Sequence, residues 1–442
     1  MSLHLPPALK HRRFLLLWFG LLISMTGSQM QLWALFWHIS RLSDNPIAVS
    51  AVGAARFFPI LIFSLIGGLV ADRYNRRKIL FLTQTTSMLV ALTLGLLTLI
   101  GQIQLWHIYL LTGVQATGMA FDLPARQALV PNLVPVKDLP SAFSLQSIAS
   151  NTGAIVGPAL SGLVIGHLGQ EYTYLINAVT FLAVLAALLS MGPVAQQTSA
   201  ARGMSAAFKD IRAGIRFIRR QPVILSSMIL DFFATFFSSA NTLLPYLAKD
   251  ILHVGAVQYG WLASAQSIGA VTAGVRMSQT SNLRRQGRLL LVTVTVFGLA
   301  TILFGMSYLF GLEPLRFGGI SIFGWRAPVV ETSRAFLATF AALIFVGVAD
   351  SVSTILRNTI RQLQTPDSLR GRMTSINQIF FMGGPQLGEV EAGAVAQAFG
   401  VPAAIISGGI GCILGVLLIA RKWPQLSNYN GDEPILAGAT AD

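Results

Sequence analysis

Gly68-Leu69-Val70-Ala71-Asp72-Arg73-Tyr74-Asn75-Arg76-Arg77-Lys78 sets five charged residues between two apolar runs, near 47–71 and 79–100. Each run reaches the roughly 20 residues that a helix needs to cross the hydrocarbon core of a bilayer. A short basic loop between two such runs is the cytoplasmic turn of a helical hairpin. The composition extends this reading to the whole chain. Of 442 residues, 53% are apolar and only 11% charged, against about 25% charged in soluble domains. The net charge of +14 would suggest nucleic acid in a soluble protein. In a membrane protein it reflects basic cytoplasmic loops, so no nucleic-acid partner is expected. One cysteine, Cys412, and six scattered histidines leave no internal disulfide and no metal-ligand pattern, and no cofactor is expected.

Further apolar runs lie at Phe14 to Trp37, 106–124, 141–165, 172–191, 223–247, 257–277, 289–311, 335–356, 374–398 and 402–420, making twelve. The first follows Lys10-His11-Arg12-Arg13 but is too long for a signal-peptide core and lacks a small-residue cleavage site. Twelve spans place both termini on one side. Of the 31 Lys and Arg, only Arg41, Lys249, Arg316, Arg326 and Arg334 then fall opposite the N-terminus, and Arg56 falls inside a span. The other 25 lie on the terminal side, the asymmetry of a chain with both ends in the cytoplasm. The expected organisation is an N-terminal six-helix bundle (1–192), a cytoplasmic linker (193–222), a C-terminal six-helix bundle (223–422) and a disordered cytoplasmic tail (423–442). In the linker, Phe208, Ile211, Ile215 and Ile218 recur at helical spacing opposite Lys209, Arg212, Arg216 and Arg219. That pattern predicts an amphipathic helix on the inner membrane face. The segment 312–334 reads only as a long external loop.

The two halves repeat. Arg126-Gln127 and Pro131 recur as Arg361-Gln362 and Pro366 at an offset of 235, and Gly153, Gly157 and Gly162 recur as Gly384, Gly388 and Gly393 at an offset of 231. Duplicated halves related by an axis along the membrane normal are a transporter architecture, with substrate bound near the midplane between them.

The 68–78 stretch resembles the signature loop of the major facilitator superfamily, G-x-L-a-D-r-x-G-r-k, with Val70 for the Leu and Asn75 for the turn Gly. Gly68 is expected to let two helices approach closely, Asp72 to meet a helix N-terminus, and Arg73, Arg76 and Arg77 to meet a carboxylate. The resemblance and the residue's place at the end of span four make Asp122, near Arg126, the expected partner of Arg76 or Arg77. Together these form a cytoplasmic latch made in one state and broken in the other. Gly153-Ala154-Ile155-Val156-Gly157-Pro158-Ala159-Leu160-Ser161-Gly162 resembles the superfamily's antiporter motif, with Ser161 for one Gly, which implies an exporter. Here Gly153, Gly157 and Gly162 permit close packing and Pro158 removes a backbone donor. Glu389 takes the place of Pro158 in the second half. The run Thr359 to Arg372 and the linker stretch Ala213 to Ile218 narrow the resemblance to the efflux branch that includes enterobactin exporters. Superfamily drug-proton antiporters often carry an Arg in span four, where this chain reads Leu110-Leu111-Thr112-Gly113-Val114-Gln115.

Ionisable residues within spans are costly and mark function. Arg56, Asp231, Asp350, Glu389 and Glu391 are the five cases. Glu389 and Glu391 project about 200° apart on a helix, so one cavity faces only one of them. A carboxylate in an apolar cavity loads and releases a proton near neutral pH, which makes Asp231, Glu389 or Glu391 the expected coupling site. Asp350 is expected to serve the latch or the structure. Gln29 and Gln31, beside Trp33, Phe36 and Trp37, suit a cavity for a partly aromatic solute, or else interhelical hydrogen bonds. No Walker A pattern, GxSxG or paired-His motif occurs, so neither ATP hydrolysis nor enzyme chemistry is expected. The expected function is a monomeric secondary exporter of a small organic molecule in a bacterial inner membrane, coupled to protons. An importer or a lysolipid flippase of the same fold is the alternative.

Overall fold

The computed structural model describes residues 6–196, 212, 214–237, 239–280, 284–317, 321–322, 325–326, 330–366 and 370–431. Each apolar run becomes a helix: α1 Arg12–Leu42, α2 Pro46–Arg73, α3 Arg76–Leu99, α4 Leu105–Leu129, α5 Leu139–His167 and α6 Gln170–Ser190. The second set is α7 Pro222–Phe237, α8 Ala256–Ser278, α9 Gln286–Met306, α10 Arg334–Leu363, α11 Arg370–Phe399 and α12 Val401–Lys422. Short helical turns extend α7 to Ile251. Among the described residues, nine spans are long and apolar enough to cross a bilayer. Large apolar side chains such as Leu82, Val179 and Phe345 lie bare on the outer surface, where lipid would cover them.

Local chemistry sets the turns. Asn45 caps α2 by accepting from the Ile47 amide, with Pro46 at the first helical position. Asn75 caps α3 by accepting from the Lys78 amide, and its φ of −65° is ordinary, so it is a helix start rather than a left-handed turn. Gly169 and Gly400, 231 residues apart, both turn the chain with positive φ, 114° and 89°. The repeat offset thus extends to the hairpin turns.

Packing repeats as well. Helix α1 lies along α5 and α6, α2 against α4, and α3 against α4 and α6. In the second set α7 lies along α11 and α12, α8 against α10, and α9 against α10 and α12. Between the sets, α2 packs on α11 and α5 on α8, the same contact with the halves exchanged.

The cores show where the halves meet. At the end holding both termini, one core (Phe14, Leu17, Leu80, Leu129, Leu188) draws only on the first half, and another (Leu230, Leu290, Leu356, Ile419) only on the second. At the far end the cores are mixed: Trp37 and Ile165 join Leu243, Leu247 and Tyr259, while Tyr246 joins Ile39, Val49 and Tyr174. The described halves are therefore joined at the far end and part toward the termini.

Three peripheral segments differ from expectation. In the linker, residues 214–220 are helical, but Phe217 and Ile218 are the buried pair, packed on Ile224, Met228 and Met373, while Ile215 is exposed. This stretch docks on the protein rather than facing lipid; Phe208 and Ile211 lie outside the described residues. The tail is ordered at its start, where a turn at Pro424–Ser427 buries Leu426 and Tyr429 against α9 and α12. The Gly287 amide there donates to the Tyr429 carbonyl. Within 312–334, strand β1 (Pro314–Phe317) pairs antiparallel with β4 (Val330–Ser333), and β2 (Ser321–Ile322) with β3 (Trp325–Arg326).

Candidate transport site

The glycine repeat builds the seam between the halves. Gly153 and Gly157 on α5 press against α1, where an added Cβ would meet the Met25 carbonyl at 3.2 Å and the Thr26 carbonyl at 2.9 Å. Their counterparts Gly384 and Gly388 on α11 press against α7 at Thr235 and Phe236. The third glycine of each set crosses to the other half. Gly162 abuts Gly260 of α8, with a built Cβ 2.8 Å from the Gly260 Cα, and Gly393 abuts Ser50 of α2. Pro158 lies in the same contact, its carbonyl 2.7 Å from where a Cβ at Gly260 would stand.

Glu389, at the Pro158 position of the repeat, occupies the α2–α11 seam. It is 7% exposed, and a Cβ at Gly53 would lie 2.6 Å from its Oε2. That oxygen, the Gln386 Oε1 and the Ser50 hydroxyl are buried without a hydrogen-bond partner among the described residues. Arg56 is half-buried on α2, one helical turn from Gly53, and no ion pair joins it to Glu389 among the described residues. Burying an unpaired ionised carboxylate costs far more than burying the neutral acid. Glu391 is half-buried and turned away from this seam.

Asp231 is engaged differently. Its Oδ1 lies 3.0 Å from Arg357 Nη1 and its Oδ2 3.5 Å from Arg361 Nη1. All three side chains are buried, so this is a closed ion-pair cluster between α7 and α10. Arg357 also reaches Asp350, at 4.0 Å.

The signature loop departs from the latch expectation. Asp122 pairs with Arg126 at 2.8 Å, one helical turn away, and accepts from Gln84. Arg76 instead donates to the Ala71 and Ala128 carbonyls and to Asn132, and Arg77 to the Leu188 and Leu189 carbonyls. They tie the carbonyl-rich C-terminal ends of α2, α4 and α6. The close approach belongs to Gly67, which abuts the Ala120 carbonyl, whereas Gly68 faces open space. Asp72 and Arg73 are exposed, and Asp72 has no ion pair among the described residues. Gln31 is buried in a chain in which Asn177 donates to its Oε1 at 2.7 Å and it donates to Gln115 at 3.1 Å, the hydrogen-bonding alternative. Gln29 is half-buried beside Gly157.

A clasp at the far end was not legible in the sequence. The Lys249 ammonium donates to the Ser40 carbonyl at 3.0 Å and to Asp44 at 2.9 Å. The Tyr246 hydroxyl sits 2.8 Å from both the Ser43 and Asn45 carbonyls. Lys249 also satisfies the carbonyl end of α1. Its hydrogen bond holds the Asp44 carboxyl below the usual carboxylate range. The lowered value means the contact is present above the ordinary Asp range and is lost only as pH falls through the depressed one. Lys249→Met is expected to loosen the far end, by at most about fivefold in population because Asp44 is exposed. The check is labelling of Ser50→Cys with an impermeant maleimide; Ser50 is buried, and the native Cys412 is buried and stays silent. An unchanged labelling rate would show that the clasp carries no weight.

Two bundles with repeated packing, a glycine seam and buried charge at mid-span define a multi-pass membrane transporter of the major facilitator fold. The chain belongs to the transmembrane secretion effector family, whose model matches residues 4–312. A relative from Citrobacter koseri, named enterobactin exporter EntS, is 25% identical over 393 residues, covering 89% of this chain and 86% of that protein. Among solved structures, a POT family transporter in complex with a thioalcohol-conjugated peptide superposes with a TM-score of 0.70 at 12% identity, over 93% of this chain and 96% of its own. A bacterial homologue of the human lysosomal transporter Spinster, inward-facing and unoccupied, gives 0.67 at 13% identity, over 96% and 97%.

Proposed function

We propose that the protein exports a small organic molecule (a siderophore, drug or metabolite) across the bacterial inner membrane by alternating access, in exchange for protons. Both termini lie in the cytoplasm, where the basic loops gather, and one chain is the working unit because its two halves complete one seam. In that orientation the parted end faces inward and the far-end clasp closes the outside. The latch residues Asp72 and Arg73 are free in this state and engage when the terminal end closes. The antiporter-like motif and the exporter name of the Citrobacter koseri relative agree in direction.

The observation that carries proton coupling is Glu389, a buried carboxylate with an unpartnered oxygen on the seam that must open in each cycle. It is neutral while the seam is shut and meets water when the seam opens, so closure is tied to a bound proton. The clustered Asp231 is held by two arginines and does not share this role. The test is ethidium and enterobactin accumulation in cells lacking their own exporters, with and without the gene and with an uncoupler. Lower accumulation that the uncoupler reverses is expected. Glu389→Gln keeps the neutral shape but releases no proton, and should cut proton-driven efflux at least about tenfold, ~1.4 kcal/mol. Full efflux by this variant overturns the coupling role, and higher accumulation with the gene reverses the direction.

A further inference from the structure

Asp350 stands near the middle of α10, 13 residues before the helix ends at Leu363, or about 20 Å along the axis. Its side chain is 44% exposed, while those of Asp231, Arg357 and Arg361 in the same cluster are 6%, 3% and 9% exposed. The exposed side is not the lipid side. Phe345, 58% exposed, marks the outer face of α10, and Asp350, five residues on, projects about 140° around the helix from it. Helices α8 and α9 pack along α10, and α7 meets it at the Asp231–Arg357 pair. The remaining direction is the cleft left where the halves part.

The compensation there is uneven: two carboxylates share two arginines, and both arginines lie closer to Asp231 than to Asp350. Both oxygens of Asp231 lie within ion-pair distance of arginines, although Asp231 Oδ1 and Arg357 Nη1 make no hydrogen bond among the described residues, and Arg357 Nη2 donates to Thr354 Oγ1 at 2.8 Å. Asp350 receives only the loose end of Arg357, at 4.0 Å. On the same helix the Ser353 hydroxyl and Arg357 Nε are buried without hydrogen-bond partners among the described residues. The offset relating Arg126 to Arg361 also relates Gln115 to Asp350, and Gln115 is a neutral amide bonded to Gln31. The second half therefore places a loosely paired carboxylate where the first places a hydrogen-bonded amide.

We propose that Asp350 is a substrate-binding carboxylate of the cleft and that it selects organic solutes bearing a positive charge, with Arg357 as a positioning residue that holds the site's remaining charge on Asp231. The proposal rests on the transport reading above and adds the class of solute.

The test uses the full chain in nanodiscs, with tetraphenylphosphonium and tetraphenylborate, ions of matched size and opposite charge, and empty nanodiscs as the partition control. Wild type is expected to bind the cation saturably. Asp350→Asn should weaken that binding by on the order of tenfold, the weight of one charged contact, without weakening tetraphenylborate. Asp350→Glu should restore cation affinity to within about threefold of wild type, less than half the free-energy change of a tenfold loss. Absence of saturable cation binding by wild type, equal weakening of both ions, an unchanged Asp350→Asn, or a failed Asp350→Glu rescue each overturns the proposal. Coupling at Glu389 is read from gradient-driven efflux rather than affinity, so either idea fails without the other.

Discussion

Gly162→Leu is expected to abolish closure of the far end and reduce transport by about a hundredfold, ~3 kcal/mol. The position tolerates nothing beyond hydrogen, because a Cβ there would lie 2.6 Å from the Ala256 carbonyl and 2.8 Å from the Gly260 Cα. Both obstacles are backbone, which cannot rotate aside as a side chain does. The substituted helix would have to leave α8, and α5–α8 is one of the two long helix–helix contacts joining the halves among the described residues. The fold of each half should survive, since the atoms nearest a Cβ at Gly162 all belong to the other bundle. The checks are substrate efflux and maleimide labelling of Ser50→Cys. Loss of efflux with increased labelling is the expected pair. Efflux within twofold of wild type would mean that the seam yields more easily than its geometry implies.

Asp231→Asn acts on stability instead. It leaves Arg357 and Arg361, both buried, without the carboxylate that faces them. Breaking a buried ion pair from one side costs about 3–5 kcal/mol, because the surviving charge stays buried. A loss of that order is expected in thermal unfolding of the purified protein. Asp122→Asn, in the corresponding region of the first half, should cost less, about 1–2 kcal/mol, since Arg126 is partly exposed and Gln84 still reaches the amide. Equal losses at the two positions would show that burial of the arginines does not set the cost.

Much of the fold was legible because membrane helices announce themselves one at a time, by apolar length and by the charge of the turns between them. The glycine repeat was legible as spacing and proved to be packing: two glycines against the bundle's own first helix and one across the seam. The Asp122–Arg126 pair was equally readable, being one helical turn apart, but the resemblance of 68–78 drew attention to Arg76 and Arg77. What was hidden is what depends on facing and on distant partners. Nothing in the sequence shows that Asp231 is enclosed by arginines more than 120 residues away while Asp350 looks into the cleft. Nor does it show that Lys249 reaches Asp44, 205 residues earlier. The order of the tail was missed because Leu426 and Tyr429, the residues it buries, stand in a largely polar stretch.

That seated tail bears on how the protein is handled. The Leu426 carbonyl fills the space where any side chain at Gly287 would go, so the segment acts as a cork in the entrance of α9. Trimming the chain ahead of Leu426 would pull the cork and expose the first turn of that helix.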